Sequence, residues 1–317
     1  MTTGSLPHAA EPDNSEPELA ATRAAAWPFV WMLCGALAFA LMGACGYAAS
    51  NSFDWRWVAL ARTSLALLFS LLLSWQGRVR LAFWRPLTLW WRSLAGSVSL
   101  LCTFYALGKL PVADVLTLTN VYPIWVAVLS WPLLGQWPKP GVWLAVACGV
   151  AGVSLIQQPH LGHGNFAMLA AIVASFTSAL SMLGLNRIRG VDARAIVVHF
   201  SSVSTVACLG TLLVANEVLK RPGMPGTSTA DTSAWLLLLG VGVAATVGQV
   251  FLTKAFSSGP PARVAVVGLS QVAFGMALDM VFWSRTFNVI TLLGIVLLVA
   301  PTAWVMLRSP AIAVEEA

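Results

Sequence analysis

Long stretches of this chain carry no Asp, Glu, Lys or Arg, and this constrains the fold more than any motif. One stretch runs from residue 24 to 53 and another from 140 to 186. A helix needs about 20 mostly apolar residues to cross a bilayer. Apolar residues make up 58% of the chain and charged residues only 9%, which is too little charge to cover a soluble protein of this size. The pattern predicts an all-α polytopic membrane protein.

The apolar segments predict ten transmembrane helices joined by short loops. Their approximate bounds are 28–50, 56–75, 93–108, 112–134, 141–157, 164–186, 195–215, 234–255, 262–283 and 288–307. If the N-terminus is inside, most Arg and Lys residues fall in cytoplasmic segments, Arg92 among them, as the positive-inside rule requires for short loops. We therefore expect a multi-pass protein of a bacterial inner membrane with both termini in the cytoplasm.

Composition also divides the chain. Residues 1–26 are acidic, contain proline and have no apolar core, which predicts a disordered cytoplasmic tail. Residues 27–158 hold the first five spans and residues 163–308 the last five. Residues 309–317 form a second, short cytoplasmic tail.

Two pairs of similar segments suggest that these halves are repeats. "ALGKLPVADV" (106–115) aligns with "AFSSGPPARV" (255–264), and "FDWR" (53–56) aligns with "VDAR" (191–194). Each pair occupies equivalent places in a unit of five spans. Because five is odd, the second unit enters the membrane from the opposite side. The sequence thus predicts two inverted five-helix repeats, an architecture typical of secondary transporters.

Several of these features resemble one known family. The five-plus-five arrangement, Arg62 early in the second span and the pattern "YALGKLPVAD…YPIW…LLGQ" are similar to the EamA family of the drug/metabolite transporter superfamily. The resemblance extends from residue 28 to 307. The chain departs from the family pattern at Gln136, where an acidic residue often stands, and at Ser284 and Arg285 in the second half.

The resemblance implies a central cavity between spans one to four and six to nine, with spans five and ten outside. Tyr122 and Gln271 align between the repeats and fall near the middle of their spans. Polar and aromatic groups at that depth suit an organic substrate. Hydrogen bonds between helices would explain the same residues. The predicted binding residues are Tyr105, Asn120, Tyr122, Trp125, Gln249 and Gln271.

Charged residues within spans are costly and are therefore candidates for function. We expect Arg62 to pair with Asp114 or Asp279 as an outer gate or a structural lock. The alternative is that Arg62 extends to the interface and Asp114 caps its helix. Lys254, near Arg263 on the cytoplasmic side, either anchors the helix in the inner leaflet or lines a basic vestibule.

The sequence indicates no cofactor and no metal site. The five cysteines all lie in apolar runs without metal-ligand spacing, which also argues against disulfides. Basic residues lie in short loops, so membrane topology explains them better than nucleic-acid binding does. Small residues in spans five and ten, such as Gly141, Gly149 and Gly152, suit either a homodimer or packing within one chain.

The main hypothesis is a secondary transporter of a small organic metabolite, with export of amino acids or related compounds as one form. A second is uptake of an anionic or nucleotide-like solute, motivated by Arg62, Lys254 and Arg263. A membrane-embedded enzyme is the remote alternative, because the chain has no HExxH, GxSxG or P-loop motif. We therefore expect no enzymatic activity.

Overall fold

The computed structural model describes residues 15–50, 52–53, 55–159, 166–217, 231–284 and 287–315, and these residues contain helices and no strand. The helices are α1 (Ser15–Ala49), α2 (Trp55–Gln76), α3 (Leu87–Leu107), α4 (Val112–Thr119), α5 (Tyr122–Leu134), α6 (Pro140–Gln157), α7 (Phe166–Arg187), α8 (Ala193–Glu217), α9 (Thr232–Ser258), α10 (Pro261–Gly268), α11 (Ser270–Trp283) and α12 (Val289–Glu315). The all-α polytopic fold predicted from the sequence is confirmed.

Helices extend into both predicted tails, whose cytoplasmic location stays a prediction. Helix α1 begins at Ser15, inside the segment whose composition predicts disorder, and α12 continues to Glu315. The sequence "SEPELAATRAAA" explains the first difference, because alanine favours helix and acidic residues favour a helix N-terminus. Residues 1–14 and 316–317 lie outside the described residues.

The predicted fourth span is two helices, because the chain is interrupted between Thr119 and Tyr122. Pro123 accounts for the break. It has no N–H to donate to the carbonyl of Thr119, and its ring clashes with that carbonyl. Asn120 ends α4, where its side-chain Nδ2 donates to the carbonyl of Leu116 at 2.7 Å.

The predicted ninth span is also two helices, with a break between Gly268 and Ser270. The N–H of Leu269 bonds the carbonyl of Val266 at 3.1 Å. In an uninterrupted helix it would bond the carbonyl of Ala265. The break therefore releases one backbone acceptor in the interior of the bundle.

Nine segments of the described residues are long and apolar enough to span a membrane. Each discontinuous pair, α4 with α5 and α10 with α11, counts as one segment. Helix α3 has sufficient length but is not among the nine, because Arg92 and several serines lower its hydropathy. The count of ten spans therefore stays a prediction that depends on α3.

Contacts between the two halves are extensive and occur in matching pairs. The contact of α1 with α9 corresponds to the contact of α7 with α3. The contact of α2 with α9 corresponds to the contact of α8 with α3. Helices α2 and α8 pack together, as do α6 and α12. If each helix is replaced by its counterpart in the other predicted repeat, the same set of helix contacts results. The pairing supports the predicted repeat, whose inversion remains a prediction.

The glycines of α6 pack within the chain. A Cβ on Gly141 would lie 2.5 Å from the Trp304 ring, and one on Gly152 would lie 2.7 Å from the carbonyl oxygen of Gly294. Because these positions face α12, a homodimer through the fifth and tenth spans would have to use other faces of the two helices. That dimer stays a prediction.

Candidate functional site

An arginine lies buried at the centre of the bundle. Helix α3 carries Arg92 between α7, α8 and α9, and its side chain is 2% exposed. Its Nη1 donates to Ser181 Oγ at 3.0 Å and its Nη2 to Gln249 Oε1 at 3.1 Å. The guanidinium carbon lies 4.1 Å from the centre of the Phe200 ring, within the range of a cation–π interaction. Helices from both halves of the chain thus meet at one positive charge.

Small residues make room for this side chain. A Cβ on Gly96, one turn along α3, would lie 2.7 Å from Arg92 Nη1 and 2.9 Å from Ser181 Oγ. A Cβ on Gly184 of α7 would approach the Cβ of Arg92 to 3.2 Å. The guanidinium position therefore depends on two glycines from facing helices.

Hydroxyl groups continue the polar surface of α3 beyond the arginine. Three serines of α3 bond to α7 and α8, in the pairs Ser93–His199, Ser97–Ser204 and Ser99–Ser178, at 2.7, 2.8 and 2.6 Å. The other ring nitrogen of His199 lies 3.2 Å from the carbonyl oxygen of Phe83. Both nitrogens of this histidine therefore have partners, which favours packing over titration as its role.

A second arginine lies near the first. Arg62 of α2 is close enough for its charge to act on that of Arg92. Its Nε donates to the thioether sulfur of Met42 at 3.2 Å. Among the side chains that the structure describes, the hydrogen-bond partners of both guanidiniums are neutral, and Arg92 Nε has no acceptor. Two like charges therefore lie in the bundle without a nearby carboxylate in that part of the chain.

Among the predicted binding residues, Gln249 contacts this centre. Tyr122 is also buried, but its hydroxyl donates to the carbonyl of Ala265 at 3.1 Å. That carbonyl is the acceptor released by the break between α10 and α11. Tyr122 thus joins the two discontinuous spans and does not reach Arg92.

The other predicted residues lie elsewhere. Trp125 Nε1 donates to Ser175 Oγ at 3.1 Å, and Asn120 bonds within its own helix end. Tyr105 is exposed and makes an edge contact with Phe166. Gln271 is half-buried in the first turn of α11. Their role in binding stays a prediction.

The two predicted carboxylates lie on different helices. Asp114 is buried in the first turn of α4 and Asp279 is half-buried near the end of α11, and both make polar or electrostatic contacts. The pairing of Arg62 with either carboxylate stays a prediction. Lys254 Nζ lies 5.7 Å from the centre of the Trp31 ring.

Sequence reasoning missed Arg92 by placing it in a cytoplasmic loop. The predicted third span, 93–108, is shorter than the about 20 residues that a span needs. Extending it toward its N-terminus to normal length would have included Arg92. Ser93, Gly96 and Ser97 follow within little more than one turn, and such small residues are typical of tight helix contacts.

A cavity of about 600 Å³ lies at the end of the bundle that the Arg and Lys distribution predicts to be cytoplasmic. It lies between the turn after α5 and the turn between α9 and α10, and Gln136 and Asn186 contribute to its wall. Its charged lining residues, Lys139, Arg189 and Arg263, are all basic. This places a basic surface where the sequence predicts an inner vestibule, although Lys254 is not part of the lining.

The sequence profile of the EamA-like transporter family matches residues 26–157 and again residues 165–307. These two matches cover most of the chain. The chain belongs to the EamA-like transporter family, as the motifs predict.

Individual relatives agree with this assignment. The pseudopaline exporter CntI of Pseudomonas aeruginosa strain PAO1 is 30% identical over 268 residues, which is 82% of this chain and 89% of the relative. Solute carrier family 35 member G1 of Homo sapiens is 24% identical over 68% of this chain and 61% of its own length. A solved crystal structure superposes with a TM-score of 0.69 over 91% of this chain and 98% of its own, at 17% identity, which supports the fold alone.

These comparisons define the protein as a multi-pass membrane transporter of small metabolites.

One test concerns the bond between the discontinuous spans. Tyr122→Phe removes the hydroxyl and leaves the Ala265 carbonyl without this donor, so we expect the free energy of unfolding to fall by about 1 kcal/mol. Thermal unfolding of the detergent-purified protein measures it. Tyr105→Phe, at an exposed tyrosine, is the matched control. An equal loss in both variants would contradict the structural role of Tyr122.

Proposed function

We propose that this protein is a secondary transporter that exports a small organic metabolite, an amino acid or a related compound, from the bacterial cytoplasm. The main support is that the helix contacts between the two halves occur in matching pairs. Arg92 lies where helices of both halves meet. Such symmetry gives two arrangements of equivalent packing, which is what alternating access requires. Export is favoured by the relative named as an exporter.

The orientation follows from charge. With Arg92 removed from the loops, Arg and Lys remain more frequent in the segments on the side of the two termini. We therefore propose that both termini face the cytoplasm. The basic cavity then opens to the cytoplasm, where an exported compound enters.

Discontinuous helices support the same mechanism. Backbone groups released inside a membrane must find partners in the protein or line a cavity. The two breaks lie in corresponding spans of the two halves, and transporters use such breaks at binding sites. We propose that Gln271, in the first turn after the second break, contacts the substrate. Tyr122 acts beside it by joining the two discontinuous spans.

The test is a flux screen in everted membrane vesicles with labelled amino acids, carboxylic acids, phosphate monoesters and nucleosides. Saturable accumulation in everted vesicles, absent in right-side-out vesicles, is expected for export. Gln271→Ala should lower the rate about three- to tenfold, the effect of one lost hydrogen bond. Gln76→Ala, at the exposed end of α2, is the control.

A second candidate is uptake of an anionic or nucleotide-like solute. The basic lining of the cavity and the buried Arg92 favour an anion. The same vesicles separate the two directions, since uptake predicts accumulation in the right-side-out preparation. Accumulation of none of the panel in either preparation would contradict both candidates.

A further inference from the structure

We infer that the transported molecule carries an oxyanion, a carboxylate or a phosphate, which binds at the guanidinium of Arg92. The inference rests on the proposed transport function and names the chemistry of its substrate. It assigns a role to a residue that lies outside every recognised motif of the chain.

Charge balance is the first argument. A charge buried in a protein within a membrane is costly unless an opposite charge accompanies it. Arg92 is 2% exposed, and Arg62 acts on it as a second positive charge. Over the described residues, the hydrogen-bond acceptors of the two guanidiniums are the neutral side chains of Ser181, Gln249 and Met42. None of these partners balances the buried charge of Arg92.

The open hydrogen-bonding capacity of Arg92 is the second argument. Its Nε is buried and has no acceptor among the described residues, while Nη2 of the same edge donates to Gln249. A guanidinium binds a carboxylate or phosphate through two parallel N–H groups along one edge. An oxyanion that takes Nε and Nη2 replaces the neutral amide oxygen with a charged acceptor. While the oxyanion is bound, the hydrogen bond from Nη1 to Ser181 and the contact with the Phe200 ring hold the guanidinium in place.

The position of Arg92 is the third argument. It lies on α3 in the first half of the chain, whereas Ser181, Phe200 and Gln249 belong to the second half. An anion held by Arg92 competes with Gln249 for its Nη2. Binding therefore weakens one contact between the halves at the moment when the substrate is held. This links recognition of the anion to relative motion of the halves.

The experiment uses the full-length protein in liposomes. Each acid that the wild type transports is compared with its neutral amide or ester derivative, with carboxylic acids and phosphate monoesters as separate arms that identify the oxyanion. We expect the neutral derivative to be transported at least about 30-fold less well, the loss typical for one partner of a buried charge pair. Arg92→Gln should lower transport of the acid to a similar degree. Arg80→Gln removes an exposed guanidinium and should leave transport unchanged.

The outcomes separate the two proposals. Transport of neutral compounds alone, or equal transport of an acid and its neutral derivative, would overturn the oxyanion site and leave the transport function intact. Wild-type rates in Arg92→Gln would also overturn it. If Arg92→Gln fails to fold, the comparison of acid and derivative in the wild type still decides. Absence of transport for every compound would contradict the transport function itself.

Discussion

Valine in place of Gly152 should separate α6 from α12 and lower the free energy of unfolding by about 1–3 kcal/mol, the usual cost of overpacking. A Cβ at this position would lie 2.7 Å from the carbonyl oxygen of Gly294 and 2.9 Å from the backbone nitrogen of Leu298. Backbone atoms cannot rotate away as a side chain can, so the whole of α12 must shift. Thermal unfolding in detergent measures the loss.

The control lies next to it on the same helix. Ala151→Val adds similar bulk at an exposed position and should leave stability within about 0.5 kcal/mol of the wild type. Equal stability of the two variants would mean that α6 and α12 do not pack through Gly152. Because this seam is peripheral, Gly152→Val should affect stability more than substrate affinity.

Alanine in place of Gly96 should give the opposite result, a large loss of transport with a smaller loss of stability. Its Cβ would lie 2.7 Å from both Arg92 Nη1 and Phe200 Cε2, and 2.9 Å from Ser181 Oγ. The guanidinium must move, which breaks its bond to Ser181. A displacement that costs about 1–2 kcal/mol at the binding step corresponds to roughly five- to thirtyfold in transport efficiency.

Gly210→Ala on α8 is the matched control, because a Cβ there meets no atom within 4 Å. Its transport and stability should both equal those of the wild type. Wild-type transport in a folded Gly96→Ala protein would show that the position of the Arg92 side chain does not matter for function. Initial flux rates in liposomes, normalised to folded protein, make the comparison.

The sequence predicted the class of fold well, because span length and charge-free runs are properties of single helices. The predicted bounds of the second span, 56–75, differ little from α2, and those of the fifth, 141–157, differ little from α6. The breaks were less visible. Pro123 explains one of them, but the break before Ser270 has no proline, and Gly268 beside it packs tightly against Tyr122 and Met32.

The centre of the site could not be predicted in the same way, because it depends on how helices face one another. Gln249 was predicted from its polarity at mid-span, whereas its partner Arg92 was assigned to a loop. Tyr122 was predicted to bind substrate because of its type and depth, but the structure occupies its hydroxyl with Ala265. Residue type and depth identify a buried polar group. Neither identifies the atom to which it bonds.

The polar surface of α3 has a consequence for how the protein is made. Arg92 and the serines of this helix find their partners on α7, α8 and α9, which leave the ribosome later. Arg92 is the sixth residue of α3, and an arginine within an isolated span makes its insertion less favourable. The second half therefore supplies partners that favour the inserted state of α3. The first half expressed alone should insert this helix less completely than the full-length chain does.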